Sequence, residues 1–195
     1  MRAAFHTVGS ALLGGAVIWL STDGGRAITT ESARRLQIAE NPRPVPPIRL
    51  QGMNGDWLSL PGEGPALVEF IYTTCPTICQ ISGGDFAGLR DHLADAGLSP
   101  PMYSISFDPE TDDLPALQAY AERHGATGSP WTVSRPEPAD LPALLDLFRV
   151  TVIPDDWGGY QHNIAVLLID AEGRLSGAFD TRAFEQIAEA VRAAG

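Results

Sequence analysis

Residues 66–79 read ALVEFIYTTCPTIC, and this stretch decides the fold. The largely apolar run over 66–72 is bounded by Gly-Pro on one side and Thr-Thr on the other, which predicts a central strand buried on both faces. Apolar residues then recur at helical spacing from Ile78 to Leu93, which predicts a helix that ends near Gly97. A strand that leads through a cysteine pair into a helix is typical of the thioredoxin arrangement.

The rest of the chain continues this alternation of strands and helices. Strands are predicted over 56–60, 101–107 and 131–134, helices over 112–124 and 139–150, and a hairpin over 163–169 and 174–180. A last helix, with Thr181 as its cap, closes the chain. The order predicts an α/β protein with a thioredoxin-like fold, in which helices flank a mixed central sheet.

The N-terminal segment is apolar and precedes a proline-rich stretch. No acidic or basic residue lies between Arg2 and Asp23, and twenty helical residues span about 30 Å, the thickness of a bilayer core. Residues 1–23 are therefore predicted to be a membrane anchor, with a cleaved signal segment as the alternative. Residues 24–47 are predicted to be a Pro-rich spacer that holds the domain off the membrane, and 48–195 the folded domain.

The overall charge is acidic. The chain has 195 residues, of which 24 are acidic and 13 basic, and its net charge is -11. This balance argues against nucleic acid or an anionic membrane surface as the main partner, and it is compatible with a basic protein partner or with solubility alone.

Cys75 and Cys79 are the two cysteines of the chain, separated by three residues. In a helix that starts near Pro76, residues four positions apart lie within about 40° of one face and about 6 Å apart along the axis. The two sulfurs can then close a disulfide or hold one ion, and a helix N-terminus favours the thiolate that either role requires. The spacing leaves both roles open. An inert structural disulfide is the weakest alternative, because so short a loop removes little chain entropy.

The four histidines provide candidates for a third group. His6 lies in the N-terminal segment, and His92 and His124 are predicted to be solvated residues of helices. His162 stands where a Gly-rich loop enters an apolar strand, 83 positions after Cys79 (162 minus 79). In a thioredoxin-type sheet that point faces the start of the first helix, so His162 is the candidate ligand, although a histidine before a strand is more often a surface residue.

Two thiolates and one imidazole are soft ligands that suit Cu(I), whereas zinc normally takes a fourth ligand. Three segments carry a resemblance to a known family: VEFIYTTCPTICQ at 68–80, SISFDPETDDLPALQAYAERHG at 104–125 and YQHNIAVLLIDAEGRL at 160–175. In this order they resemble the Sco/SenC family, which are membrane-anchored copper proteins of cytochrome c oxidase assembly with a thioredoxin fold. The resemblance runs over roughly residues 45–190 and extends to the anchor and spacer.

The resemblance implies that Cys75, Cys79 and His162 bind copper, as Cu(I) or as Cu(II) with an added water or carboxylate. It implies delivery to the dinuclear copper centre of oxidase subunit II, or maintenance of the thiols of that centre, with a thioredoxin-like reductant as a second partner. It also implies an inner-membrane anchor and a domain that faces the periplasm. Asp108 matches the Asp-Pro motif of the family and is expected to shape a loop near the site without binding the metal.

The chain departs from the family pattern at two positions. The family usually has proline after the second cysteine and commonly has aspartate before the histidine, where this chain has Gln80 and Gln161. Asp155 and Asp156 are candidates to replace the missing carboxylate electrostatically.

Two enzymatic alternatives remain. The first is an exported thiol-disulfide oxidoreductase that uses Cys75 and Cys79 without metal and gives His162 no necessary role. The second is a thiol peroxidase, which is less well supported because Tyr72, and not threonine, stands three residues before Cys75.

Overall fold

The computed structural model describes residues 14–17, 19–22, 24–25, 27–74, 78–156 and 158–195, and only the backbone of residues 78–80. The helices after residue 29 are α1 (Thr30–Glu40), α2 (Ile78–Asp95), α3 (Leu114–His124), α4 (Leu141–Leu147) and α5 (Phe184–Ala193). The strands are β1 (Arg43–Pro44), β2 (Ile48–Gly52), β3 (Trp57–Leu60), β4 (Ala66–Ile71), β5 (Met102–Ser106), β6 (Trp131–Pro136), β7 (Val152–Pro154), β8 (Tyr160–His162), β9 (Val166–Ile169) and β10 (Arg174–Phe179).

The main sheet has eight strands in the order β1-β10-β9-β4-β5-β6-β2-β3. Its centre is parallel from β4 through β5 to β6, whereas β9 runs antiparallel to β4. The carboxyl ends of β4 and β5 therefore meet at one edge of the sheet, where ligand sites of open α/β sheets are usually found. This mixed sheet with helices on both faces confirms the predicted fold class.

The central strand β4 is buried at every position, because it carries a core on each face of the sheet. Val68 and Phe70 pack in a core that includes residues of α1 and α4, whereas Leu67 and Ile71 pack in a core that includes residues of α2, α3 and α5. Each fully buried large apolar side chain stabilises the fold by about 1.5–3 kcal/mol relative to exposure.

Gly83 permits the close approach of α2 to α3. A Cβ added at this position would lie 2.5 Å from the Tyr120 hydroxyl and 2.9 Å from the His124 ring. Glycine has a low helix propensity, but the packing of α2 on α3 requires it at position 83. Its neighbour Gly84 has nothing within 4 Å of an added Cβ.

The segment predicted as a spacer contacts the domain over much of its length. Ile38 of α1 is 2% exposed and packs in the core next to the sheet, and Val45 donates its N–H to the carbonyl of Gly173 at 2.9 Å. β1 pairs with β10, and proline is tolerated there because this is the edge of the sheet. The segment therefore packs on the domain and is not freely extended. It pairs there because β10 offers backbone groups that would otherwise be unpaired.

Most of the predicted anchor, residues 1–23, lies outside the described residues. Residues 14–17 and 19–21 are helical. Among the described residues, no helix has both the length and the apolar character needed to cross a membrane.

Three local predictions need correction. Thr181 does not cap the last helix, which begins at Phe184 after Ala183; the Thr181 hydroxyl instead donates to Asp85 of α2 at 2.9 Å. The strand predicted over 163–169 begins at Val166, because the chain before it forms the hairpin β7–β8, outside the main sheet. Strands β1, β2, β7 and β8 were not predicted from the sequence.

Candidate metal centre

His162 lies at the end of β8, opposite Val152 of β7. The centroid of its ring is 4.8 Å from that of Phe107 and 6.5 Å from that of Tyr72. Tyr72 directly follows β4 and stands three positions before Cys75. The hairpin thus brings the predicted histidine ligand beside the end of the strand that leads into the cysteine pair.

The surroundings of His162 favour its neutral imidazole. Burial lowers the pKa of His162 below its usual value, and a hydrogen bond with the backbone of Asn163 only partly opposes this effect. Neutral imidazole is the form that binds a metal ion. A histidine in this setting remains a competent ligand at a pH at which a solvent-exposed histidine begins to protonate.

Asn163 fixes the chain on which His162 stands. Its side-chain Oδ1 accepts the N–H of Thr151 at 2.7 Å, and its Nδ2 donates to the carbonyl of Arg149 at 3.0 Å. Both bonds join β8 to the start of β7 across the open end of the hairpin. The sequence analysis did not identify this role, because nothing in the order of residues brings Asn163 next to 149–151.

Asp112 fixes the backbone on the cysteine side of the site. This carboxylate is 0% exposed and accepts three hydrogen bonds: from the Thr73 N–H at 3.0 Å, the Thr73 hydroxyl at 2.5 Å and the Ser106 hydroxyl at 2.5 Å. Thr73 is two positions before Cys75, so Asp112 anchors the entry to the cysteine loop. Sequence reasoning missed Asp112 and singled out Asp108, although both lie in the motif DPETDD.

The loop that carries Asp112 is itself braced. The carbonyl of Asp108 accepts the Asp112 N–H at 2.8 Å, and the Asp108 N–H donates to the Ser106 hydroxyl at 3.0 Å. From the other side, Arg135 donates to the carbonyls of Pro109 and Asp112 at 3.1 and 3.0 Å. The backbone position of Asp108 agrees with the loop-shaping role predicted for it.

Cys75 lies outside the described residues, and only the backbone of Cys79 is described. That backbone belongs to α2, whose described part starts at Ile78, so the predicted start near Pro76 lies outside the described residues. The role of both cysteines as metal ligands or as a redox pair therefore stays a prediction. The described residues show that Thr73, two positions before Cys75, and His162, whose ring lies beside Tyr72, are both near the end of β4.

The other described histidines lie in helices. His92 of α2 approaches the Glu185 carboxylate at 3.6 Å and stacks on Phe184. His124 was predicted to be solvated, but its Nε2 is buried and has no hydrogen-bond partner among the described residues. Burial, together with the charge of Arg123, lowers the pKa of His124. His124 is half-buried and its ring packs on Tyr120, which explains the difference.

Carboxylates lie close to the hairpin. Burial, followed by the negative charges of Asp108, Asp112 and Glu110, raises the pKa of Tyr160, two positions before His162. Asp155 accepts the N–H of Gly159 at 2.8 Å and so closes its own loop. Gln161 carries no charge at the position where the family commonly has aspartate. The carboxylates of the loop at 108–112 are a source of negative charge near this site that was not predicted from the sequence.

Comparison with known proteins identifies relatives of this chain. A family model described as SCO1/SenC matches residues 56–194, which is more than half of the sequence. No curated protein sequence matches the chain significantly.

Several solved structures share the fold. A SCO1/SenC family lipoprotein from Bacillus anthracis is 19% identical with a TM-score of 0.72, and the match covers 79% of this chain and 97% of the other. Bradyrhizobium japonicum ScoI with copper bound is 26% identical with a TM-score of 0.62, and the match covers 78% and 99%. Yeast Sco1 with copper bound is 21% identical with a TM-score of 0.64, and the match covers 77% and 90%.

The family match spans the strand, the braced loop and the hairpin that together build the candidate centre. The chain therefore belongs to the SCO1/SenC family.

Proposed function

We propose that this protein is a copper-binding protein that serves cytochrome c oxidase assembly, with Cys75, Cys79 and His162 as ligands. The observation that carries the proposal is the position of His162, beside Tyr72 at the strand end that leads into the cysteine pair. Copper-bound structures of two relatives, ScoI from Bradyrhizobium japonicum and Sco1 from yeast, support it.

Copper is the cargo in this proposal, and the residues present fit it. Two thiolates and one imidazole form a soft donor set that prefers Cu(I) to hard cations. Cys79 lies at the start of the described part of α2, and the free N–H groups at a helix start favour the thiolate form of a nearby cysteine. Burial lowers the pKa of His162, which favours the neutral imidazole that binds a metal ion.

The remaining residues hold these groups in place. Asp112 restrains Thr73 at the entry of the cysteine loop, and Asn163 restrains the hairpin that bears His162. Both restraints belong to the folded protein before metal arrives, which reduces the ordering cost of binding. We further propose that the domain faces the periplasm from an inner-membrane anchor and delivers copper to the dinuclear centre of oxidase subunit II.

A competition experiment tests the ligand set. The reduced protein is titrated with Cu(I) against a chromophoric chelator, together with Cys75→Ala, Cys79→Ala and His162→Ala. One tightly bound copper that each substitution weakens by at least about 100-fold is expected, since each removes a donor from the ion. His92→Ala is the matched control, because it removes an imidazole outside the site.

The same variants distinguish the alternative of a metal-free thiol-disulfide oxidoreductase. Copper binding that is unaffected by His162→Ala, or absent from the wild type, would contradict the proposal. Dithiol exchange that is retained in His162→Ala and lost in the cysteine variants would then favour the oxidoreductase.

A further inference from the structure

A cleft lies between α1 and the segment that follows α4. Its volume is about 520 Å³, and it is lined by Thr30, Ala33, Arg34, Gln37, Arg43, Leu145, Asp146, Arg149, Val150 and Thr151. Three of the lining side chains are arginines and one is an aspartate, in a protein whose net charge is -11. Each arginine shows a feature that the fold alone leaves unexplained.

Arg149 has a backbone conformation that favours glycine. Its φ is +53°, and it is the only residue other than glycine with a positive φ among those the structure describes. Arg149 follows α4, and the N–H of the next residue, Val150, bonds to the carbonyl of Leu145 at 2.8 Å. In a helix ending of this kind, glycine usually occupies the left-handed position that Arg149 holds here. The arginine side chain donates through Nη1 to Gln37 of α1 at 2.5 Å, a contact that glycine cannot make.

Arg34 has a buried guanidinium that is only partly paired. Its side chain is 11% exposed and donates through Nε and Nη2 to Glu31 at 2.8 and 2.7 Å. Its Nη1 is buried and has no hydrogen-bond partner among the described residues. Glu31 is shared, because Arg35 also donates to it at 2.8 Å. One carboxylate thus serves two guanidinium groups, and the unpaired Nη1 is costly without an acceptor.

Arg43 of β1 is exposed at the mouth of the same cleft. Its backbone pairs with β10, but its guanidinium makes no hydrogen bond or ion pair with any residue in the described part of the chain. Asp146 is the single carboxylate among the lining residues, so the cleft carries an excess of positive charge. A planar guanidinium with free N–H groups binds the oxygens of a phosphate in a bidentate manner.

We propose that this cleft binds a phosphate group through Arg34, Arg43 and Arg149. An anion between them would accept from Arg34 Nη1, pair with Arg43 and give the left-handed Arg149 a function. This part of the proposal rests on the proposed membrane anchor over residues 1–23, which would make a phospholipid headgroup the nearest abundant source: α1 begins seven positions after residue 23, at most about 24 Å away along an extended chain. Free phosphate is the other source. The proposal is independent of copper binding, because none of the three arginines is a proposed ligand.

The test uses the full chain in non-ionic detergent micelles, titrated with inorganic phosphate. The arginine Nε–H resonances of Arg34 and Arg149 are followed by NMR, and the dissociation constant is obtained from their shifts. Arg149→Gly is expected to keep the fold, since glycine suits the positive φ, and to weaken phosphate binding by about tenfold or more. Arg43→Gln, at an exposed site, is expected to weaken binding without affecting the fold. Arg123→Gln on α3 is the control and should bind like the wild type.

A second arm identifies the source of the phosphate. The full chain is placed in nanodiscs of phosphatidylcholine with or without phosphatidylglycerol. A shift of the Arg34 resonance in discs that contain phosphatidylglycerol supports a lipid headgroup, whereas a response to added inorganic phosphate alone supports the free ion. No response to either, or binding that is equal in the wild type, Arg149→Gly and Arg43→Gln, would overturn the proposal.

Discussion

Replacing Glu69 with glutamine tests how a carboxyl group is held inside the core. Glu69 lies in the middle of β4 and is 2% exposed. Its Oε1 accepts the hydroxyl of Ser104 at 2.6 Å, and Ser104 in turn accepts the indole N–H of Trp131 at 2.8 Å. Glutamine has nearly the same shape and keeps the acceptor for Ser104, but it cannot ionise.

The expected effect depends on pH. Burial, with a smaller contribution from the charge of Asp85, raises the pKa of Glu69 from 4.5 to about 8, against the opposing hydrogen bond from Ser104. Between these two pH values only the unfolded chain loses its proton, so stability is fully present below about pH 4.5 and is lost as the pH rises towards 8. At about 1.4 kcal/mol per pH unit, the cost to the wild type is about 1 kcal/mol near pH 5 and about 4 kcal/mol near pH 8.

Urea denaturation of the wild type and Glu69→Gln at both pH values measures this cost. The difference in the free energy of unfolding between the two proteins should shift in favour of glutamine by about 3 kcal/mol from pH 5 to pH 8. A constant offset, such as an unpaired amide N–H, cancels in this comparison. Glu63→Gln, at an exposed glutamate, should show no such trend. An equal difference at both pH values would refute the reasoning, because Glu69 would then titrate alike in the folded and unfolded chains.

Two further predictions concern the packing of α2 and the entry to the candidate site. Gly83→Ala should destabilise the fold by about 1–3 kcal/mol, because its Cβ would clash with the Tyr120 hydroxyl, whereas Gly84→Ala should stabilise it by up to about 1 kcal/mol through helix propensity. Thermal denaturation compares this pair, and equal effects would contradict the packing role of Gly83. Asp112→Asn should weaken Cu(I) affinity by about tenfold or more while His162 keeps its lowered pKa, since only the cysteine side of the site loses its anchor. Chelator competition and histidine NMR measure the two effects, and unchanged affinity would show that Thr73 needs no such anchor.

The local elements follow from the sequence. The apolar run at 66–72 and the helical pattern from Ile78 were sufficient to predict β4 and α2, because strand burial and helix periodicity depend on the nearest residues along the chain. The hydroxyl of Thr181 was misread as a cap, because its partner Asp85 is 96 positions away. A capping signal in the sequence depends only on the residues that immediately follow it, so it does not reveal so distant a partner.

Of the candidate site, too, only part could be predicted from the sequence. The sequence singled out Cys75, Cys79 and His162 by residue type, by ideal helix and sheet geometry, and by resemblance to a family. It did not identify Asp112 or Asn163 as the residues that brace the site, because each holds backbone from a different element.

Residue chemistry and local pattern are properties of the chain itself, so the sequence alone determined the strand, the helix and the candidate donor atoms. Only the tertiary structure decided which polar groups meet in a buried setting. It placed His162 beside the end of β4, and it gathered Arg34, Arg43 and Arg149 from three separate segments around one cleft. The physical reason is that hydrogen bonds and charge pairs in a core depend on distance and burial, which arise when sheet and helices pack and which linear spacing does not encode.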